Sequence, residues 1–532
     1  MSHERLLPIA MFLQHAQQDP QATYLHQPKG GLFESLTWSQ VEEQARVIAQ
    51  AIQDQALPDR SNIALISKNC AEWILIDLAI WMSGHVSVPL YPTLQSKGIK
   101  QILDHCEAKL LFVGKLDDWD LQRVELGDYL SISFPSYFHE GTTSFENFVG
   151  ERSPLREVFQ ATESDVATII YTSGTTGMPK GVVHTFGSIS WPALEARELF
   201  SLNGDDRFIS YLPLSHIAER LLVEIGSIYA GGEVFFVESL ESFNHDMQHA
   251  KPTIFLSVPR LWEKFKEKIS QKLSPRKLSI LLAIPGLNTL IRNKIKAQLG
   301  LGEQRVCLTG AAPIATSTLE WFDRLGITIH EVYGMTENFG VATINLPGEV
   351  KLGSVGRAWR NGEIKLSEQG EILTRSAAQM RGYYKEPGLS AEVITEDGWL
   401  RTGDKGKLED DGYLYITGRV KDLFKTAKGK YVAPAPIEKL FMVSPLVEQV
   451  CVIGQGHPMP FAVVVLSELS QGLAKPELER DLEQLKIRIN RDLESYEKLS
   501  KIVIAQEEWS VESGILTPTM KIKRNKVEEL YL

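Results

Sequence analysis

Short β-branched apolar runs alternate along the chain with longer segments whose apolar residues recur at helical spacing. Residues 63–66, 110–113, 166–170, 253–256 and 305–308 each read as a buried strand. Between them, 38–52 and 259–272 read as amphipathic helices. Such alternation implies α/β units around largely parallel sheets. From 353 to 416 the texture changes to short strands separated by glycine turns, Asp397-Gly398 and Asp411-Gly412 among them, which predicts a small β-rich subdomain. Beyond Gly418 it changes again, with strands at 447–453 and 461–466 and a charged amphipathic helix at 475–497. The expected architecture is an α/β fold in which a large N-terminal domain, 1–418, has parallel and mixed sheets with flanking helices. A hinge region at 419–420 joins it to a small α+β C-terminal domain, 421–532, of a common domain size.

At 532 residues the chain exceeds what one hydrophobic core organises, which agrees with two or more domains. With 43% hydrophobic and 23% charged residues it has the composition of an ordinary globular protein, which excludes disordered and collagen-like classes. A net charge of -11 does not advertise the basic face that a nucleic acid needs, so no such partner is expected and any anionic ligand must be met by local groups. Cys70, Cys106, Cys307 and Cys451 are too scattered for a zinc knuckle and too few for a disulfide framework, which fits a reducing, cytoplasmic setting. The N-terminal apolar run at 6–13 follows Glu4 and lacks a small-residue cleavage pattern, so it reads as an opening helix and not an export signal. The strongest apolar stretch elsewhere, 278–291, is shorter than the roughly 20 residues of a spanning helix.

The first chemistry-bearing segment is YTSGTTGMPKG, 171–181, directly after a strand. Gly174 and Gly177 let the backbone turn its N–H groups inward. The hydroxyls of Thr172, Ser173, Thr175 and Thr176 add donors, and Lys180 adds a positive charge, a set suited to a triphosphate. It is not a Walker loop, because Lys180 follows Pro179 and precedes Gly181. A shorter Gly/Ser/Thr cluster would read as a polar turn; this string is more specific.

The string resembles the signature loop of the adenylate-forming superfamily, which contains acyl-CoA synthetases, firefly luciferases and peptide-synthetase adenylation domains. Further motifs follow in that family's order and cover most of the chain. LTGAAPI, 308–314, is an apolar strand ending in small residues, and the resemblance makes Gly310, Ala311 and Ala312 the wall against which adenine lies. EVYGMTE, 331–337, is similar to the family's YGxTE motif. It implies that Tyr333 stacks on adenine with Gly334 and Met335 beside the nucleotide, that Thr336 contacts the α-phosphate, and that Glu337 holds magnesium. Thr172 is a second candidate ligand, and hard oxygen donors suit that ion. WLRTGD, 399–404, resembles the motif whose aspartate, here Asp404, accepts from both ribose hydroxyls, and Arg419 is implied on the same sugar. LTPTMKIKR, 516–524, resembles the closing motif whose lysine, here Lys521, enters the site for adenylation. Taken singly, each has a blander reading: a strand-to-helix turn, a solvated loop acid, a glycine turn or a basic surface strand.

The resemblance implies ATP-dependent activation of a carboxylic acid, in which a carboxylate oxygen attacks the α-phosphorus and pyrophosphate leaves. Magnesium, the loop N–H groups and Lys521 would neutralise the accumulating charge. No Ser/His/Asp or Cys/His motif is apparent, and none is required. For the second half-reaction, relatives rotate a mobile C-terminal domain about the position of Lys421, and Gly429 is the candidate for the loop that admits the thiol arm of CoA. The blocks at 88–93, 252–263 and 425–438 look most like long-chain fatty acyl-CoA synthetases, which implies fatty acid, ATP and CoA as partners and no obligate protein partner. The chain departs from relatives at His184-Thr-Phe-Gly, and the segment after Glu263 looks abbreviated. His216, in YLPLSH at 211–216, matches a position beside the acyl and adenylate groups; a structural histidine is the alternative. Glu219 can imitate the aspartate with which peptide-synthetase relatives hold an amino group. Amino-acid activation therefore stays open, and transfer to a carrier-protein thiol or a luciferase-like oxidation of the adenylate are variants of the same chemistry.

The segment 278–291, LSILLAIPGLNTLI, is flanked by Arg276, Lys277, Arg292, Lys294 and Lys296. It reads either as an interfacial segment that touches the inner face of a membrane or as a Pro-broken helix packed on its own domain. Two functional classes compete: an acid–thiol ligase, and a non-catalytic nucleotide or fatty-acid sensor that keeps the fold. Loss of Lys521, Glu337 or Asp404 would favour the sensor, and all three are present.

Overall fold

The computed structural model describes residues 6–127, 129–172, 179–442, 444–511, 513–517 and 520–532, with backbone only at 469 and 471. Among the described residues, two large sheets form the N-terminal body. In the nine-stranded sheet, Ile329–Tyr333, Val306–Thr309, Ile254–Ser257, Arg207–Ser210, Glu233–Phe236 and Thr23–Lys29 run parallel. Antiparallel strands close it at both edges. The seven-stranded sheet has Val166–Thr172, Val86–Leu90, Asn62–Ile66, Leu110–Val113 and Ser131–Ser133 in parallel, and Lys180–Thr185 and Gly382–Tyr383 add antiparallel to its edge.

The main core lies between these sheets, where Ile63, Leu65, Phe112 and Ile170 of one share a cluster with Tyr24, Phe208, Val234 and Leu256 of the other. Helix Ala71–Met82 runs through this layer and is buried at every position, so it has no polar face. Helix Trp38–Gln53 starts at Thr37, whose hydroxyl accepts from Gln40 N while Gln40 Oε1 accepts from Thr37 N, a reciprocal cap that satisfies two otherwise orphaned donors. Arg220 is fully buried here between Asp77, at 2.5 Å, and Glu224, at 3.1 Å, with Trp73 and Trp81 against its guanidinium. Arg220–Ile225 is a π-helical turn in which Gly226 N reaches back to Leu221 O.

The β-rich stretch is divided among three sheets. Glu363–Leu366, Glu371–Arg375, Leu400–Leu408 and Leu414–Arg419 form their own antiparallel sheet, whereas Arg357–Ala358 and Gly382–Tyr383 extend the two large ones. In the C-terminal domain, Val447–Ile453, Phe461–Leu466 and Ile502–Ile504 form a sheet packed on helices Pro434–Phe441 and Lys475–Arg491. The latter helix ends at Arg491, short of the expected 497, and the Asn490 side-chain amide donates to Leu499 O and accepts from Leu499 N. Segment 278–291 forms parts of two helices, Pro275–Ala283 and Leu287–Gln298, broken at Pro285-Gly286, where Gly286 has φ +81°. Among the described residues no helix is long and apolar enough to cross a membrane.

Candidate active site

The candidate phosphate loop is flanked by two paired strands. Strand Val166–Thr172 pairs antiparallel with Lys180–Thr185, so Thr172 lies opposite Lys180 and Tyr171 opposite Gly181. The predicted donors Ser173, Gly174, Thr175, Thr176 and Gly177 lie outside the described residues; Thr172 and Lys180 frame them. Gly181 has no room for a side chain, since a Cβ there would lie 2.8 Å from Ile169 Cγ2.

Lys180 Nζ sits 5.1 Å from the ring centroid of Tyr383, and the Tyr383 hydroxyl donates to Glu337 Oε1 at 2.7 Å. One aromatic thus links the loop's cation to the candidate metal carboxylate. Glu337 lies in the short turn Thr336–Asn338, directly after strand Ile329–Tyr333. Its backbone is pinned on both sides: Met380 N donates to Glu337 O at 2.8 Å, and His184 Nε2 donates to Thr336 O at 2.7 Å. Burial pushes His184 down to about 4, so the ring is neutral and its Nε2 carries the proton that this bond requires. Gly334 permits the turn, because a Cβ there would lie 2.2 Å from the Gly340 carbonyl.

Asp404 and Arg419 face each other across an antiparallel register, with Arg419 Nε 3.0 Å from Asp404 Oδ1. The Tyr333 hydroxyl donates to the other oxygen, Oδ2, at 2.7 Å. Each carboxylate oxygen keeps a free lone pair, so the group can still accept from a diol while its orientation is fixed. At the neighbouring strand end, Gly310 is hemmed in by Val332, whose Cγ2 would lie 2.8 Å from an added Cβ. Ala311 follows with φ +65°, a left-handed conformation that an alanine holds only under constraint, and Ala311 and Ala312 are exposed. Their small side chains leave that wall open to a flat ligand.

Lys521 is presented by a tight loop in which Lys521 N donates to Thr517 Oγ1 at 3.1 Å and Thr517 N to Lys521 O at 2.8 Å, anchored by the buried Leu516. Arg524 fixes the same segment through Glu438, at 2.8 Å, and the Val452 carbonyl. Lys521 is open to solvent, yet its amine is held below its ordinary value, first by the loss of hydration in the cleft and then by the charge of Arg419, against the pull of Asp404 and Glu337. It therefore shares one electrostatic field with residues more than 100 positions away. His216 feels the same ammonium: burial, then Lys521, lowers it to about 4, so it is a neutral imidazole whose Nδ1 accepts from Ala218 N at 3.2 Å.

Glu219 is spoken for. It is fully buried, accepts from Tyr211 N at 2.8 Å and Asn69 Nδ2 at 3.3 Å, and is raised to about 8 by burial, so at neutral pH it faces inward as an acid, without the charge that an ammonium group would need. Lys421 is exposed in the turn after strand Leu414–Arg419. Gly429, at φ +77°, turns the small hairpin Phe424–Lys425/Tyr431–Val432, with nothing nearer than 3.9 Å to an added Cβ. Sequence reasoning missed Tyr383, His184 and Asn338, whose Oδ1 accepts from Met335 N at 2.8 Å. Paired tyrosines after Gly382 are the signal that could have drawn attention to the first.

The chain matches the model of the AMP-binding enzyme family over residues 12–384 and that of the AMP-binding enzyme C-terminal domain over 421–532. It is 28% identical to the long-chain-fatty-acid–CoA ligase FadD15 of Mycobacterium bovis, over 98% of this chain and 95% of that one. It is 30% identical to long-chain-fatty-acid–CoA ligase 1 of Cavia porcellus, over 94% of this chain and 82% of that one. Among solved structures, the adenylation domain of a carboxylate reductase from Mycobacterium chelonae superposes with a TM-score of 0.84 at 22% identity, covering 100% of this chain and 90% of that one.

Proposed function

Because the chain belongs to the AMP-binding enzyme family and is an AMP-forming acid–thiol ligase of the acyl-CoA synthetase type, we propose that its acid is a medium- or long-chain fatty acid and its thiol that of CoA. The observation that supports the site assignment is the pair of oriented carboxylates, Asp404 held by Tyr333 and Arg419 and Glu337 held by Tyr383, with the Lys521 amine within their electrostatic reach. Full-length likeness to fatty-acid–CoA ligases supports the choice of acid.

In this reading Asp404 accepts from the ribose hydroxyls while Tyr333 and Arg419 hold its carboxylate in place. Gly310, Ala311 and Ala312 leave room for adenine, and Thr336 presents its hydroxyl to the α-phosphate. Thr172, Lys180 and the intervening loop cradle the β- and γ-phosphates. Glu337, oriented by Tyr383, fits magnesium as a hard oxygen donor, with Thr172 as a further oxygen; when bound, the ion screens charge shared with the phosphates. Lys521 stabilises the charge that develops as the acid's oxygen attacks phosphorus and pyrophosphate departs. His216, neutral at pH 7, orients the acyl carboxylate without competing with it for a proton. Rotation about 419–421 then withdraws Lys521 and brings Gly429 to the adenylate, where its missing side chain leaves a path for the thiol.

The test is pyrophosphate release over a series of C2 to C20 acids and the common amino acids, with and without CoA. A maximum among C8 to C18 acids, and acyl-CoA formation, is the expected result. A maximum on an amino acid, or adenylate that CoA does not consume, would replace the substrate reading while leaving the ligase family intact.

A further inference from the structure

The hairpin of helices Pro275–Ala283 and Leu287–Gln298 has two different sides. Leu278 is buried, Leu282 lines a cleft with Trp321 and Arg324, and Ile291 and Ile295 pack on the same core cluster. These residues face the body. Ile280 stands about 200° around the helix from Leu278 at 100° per residue, and Ile284 follows the helix's last residue in extended conformation. Ile280 and Ile284 are accordingly 63% and 44% exposed, and Leu290 on the second helix is 67% exposed. The tip, 279–291, carries no charged side chain. One side is packed on the body, and the other is an apolar surface that none of the described residues covers.

Charge identifies what covers that surface. Between Glu267 and Glu303 the chain has seven Lys and Arg and no Asp or Glu, although the whole chain carries -11. Arg276 and Lys277 occupy the first turn of one helix and Lys294 and Lys296 the second half of the other, so the bases stand below the uncharged tip. Lys294 lies one turn from Leu290, and Arg276 one turn from Ile280. An apolar tip above a basic collar matches a bilayer whose anionic headgroups overlie hydrocarbon, with the long basic side chains reaching back to the headgroups. A second copy of this chain is a poorer match, because two such collars would repel.

We propose that the 275–298 hairpin is a docking element for an anionic lipid bilayer, with Ile280, Ile284 and Leu290 entering the interface and Arg276, Lys277 and Lys294 contacting the headgroups. Leu282 packs on the body, so Ile280 and Leu290 are the positions that probe the membrane without touching the core.

The full chain would be floated with vesicles of phosphatidylcholine alone and with 30% phosphatidylglycerol, in the absence of acid, ATP and CoA, so the outcome is independent of the substrate assignment. Wild type should float with the anionic vesicles and remain behind with the neutral ones. Ile280→Glu with Leu290→Glu should lower the bound fraction at least tenfold. Arg276→Ser with Lys277→Ser should weaken partitioning about 25-fold, at roughly fivefold per basic side chain near such a surface. Circular dichroism and thermal midpoint should match wild type for both pairs, since all four residues are exposed. Equal binding of either pair and wild type, or no binding of wild type to anionic vesicles, overturns the proposal. So does a wild-type dimer by light scattering that the Ile280→Glu, Leu290→Glu pair dissolves, which would assign the surface to a second copy.

Discussion

Replacing Lys521 by alanine removes the one candidate catalytic charge that the C-terminal domain contributes. A unit charge about 4 Å from a phosphoryl oxygen contributes roughly 4 kcal/mol at an effective dielectric near 20. That agrees with the roughly 3 to 4 kcal/mol lost when one charge-stabilising donor is deleted from a preorganised site. ATP–pyrophosphate exchange should therefore fall about 100- to 1,000-fold, while thioester formation from supplied acyl-adenylate stays within threefold of wild type, because in the proposed reaction Lys521 has left the site by then. The amine's lowered pKa adds a second readout. Its charged form is the useful one, so exchange should decline as pH rises through a value below the ordinary 10.5. Lys521→Arg, which stays charged, should abolish that alkaline limb. Exchange within threefold of wild type in the alanine variant, or an unchanged limb in the arginine variant, would refute the role.

Gly429→Leu should retain exchange and lose thioester formation at least tenfold in coupled assays; equal loss of both would place Gly429 outside the thiol path. In Gly334→Ala the new methyl lies 2.2 Å from the Gly340 carbonyl, so the turn carrying Glu337 must move, and about 1–3 kcal/mol of stability should be lost, read from the urea midpoint. Arg220→Met leaves Asp77 buried without its cation and should cost about 3–5 kcal/mol by the same measurement, with partial recovery when Asp77→Asn and Glu224→Gln are added.

Much of the body was legible because its strands are short apolar runs bounded by polar turns, and helix Pro259–Lys272 falls where its periodicity places it. Helix Ala71–Met82 was not legible, since an element buried on all sides has no period to detect. The β-rich stretch could be recognised by its glycine turns, but not divided correctly: sheet membership of Gly382–Tyr383 is decided by pairing with Val182 and Val183, some 200 residues away. The same distance problem hides Arg220, whose partner Asp77 is separated from it by 143 residues. Candidate ligand contacts came from motif resemblance, whereas Tyr383 and His184 act on other site residues. Such supporting residues emerge only when the chain is folded.

The placement of ion pairs separates what is fixed in this molecule from what must move. Arg220, Asp77 and Glu224 are fully buried inside the N-terminal body, where breaking the cluster is expensive. At the junction of the domains, Arg260 meets both the carbonyl and the side chain of Glu448, but these side chains remain 43% and 30% exposed. An exposed pair of this kind contributes about 0–1 kcal/mol. It can register the C-terminal domain with Lys521 in the cleft, yet it cannot hold the domain there against a ligand that prefers another orientation. Lys521 feels the guanidinium of Arg419 as well as the carboxylates of Asp404 and Glu337, and its amine loses hydration there, so in the proposed reaction the strongest reason for it to stay is the polyphosphate. Departure of pyrophosphate removes that reason. An exposed ion pair at the junction is therefore suited to a site whose two proposed half-reactions need different partners from the same small domain, with the bound species selecting the orientation.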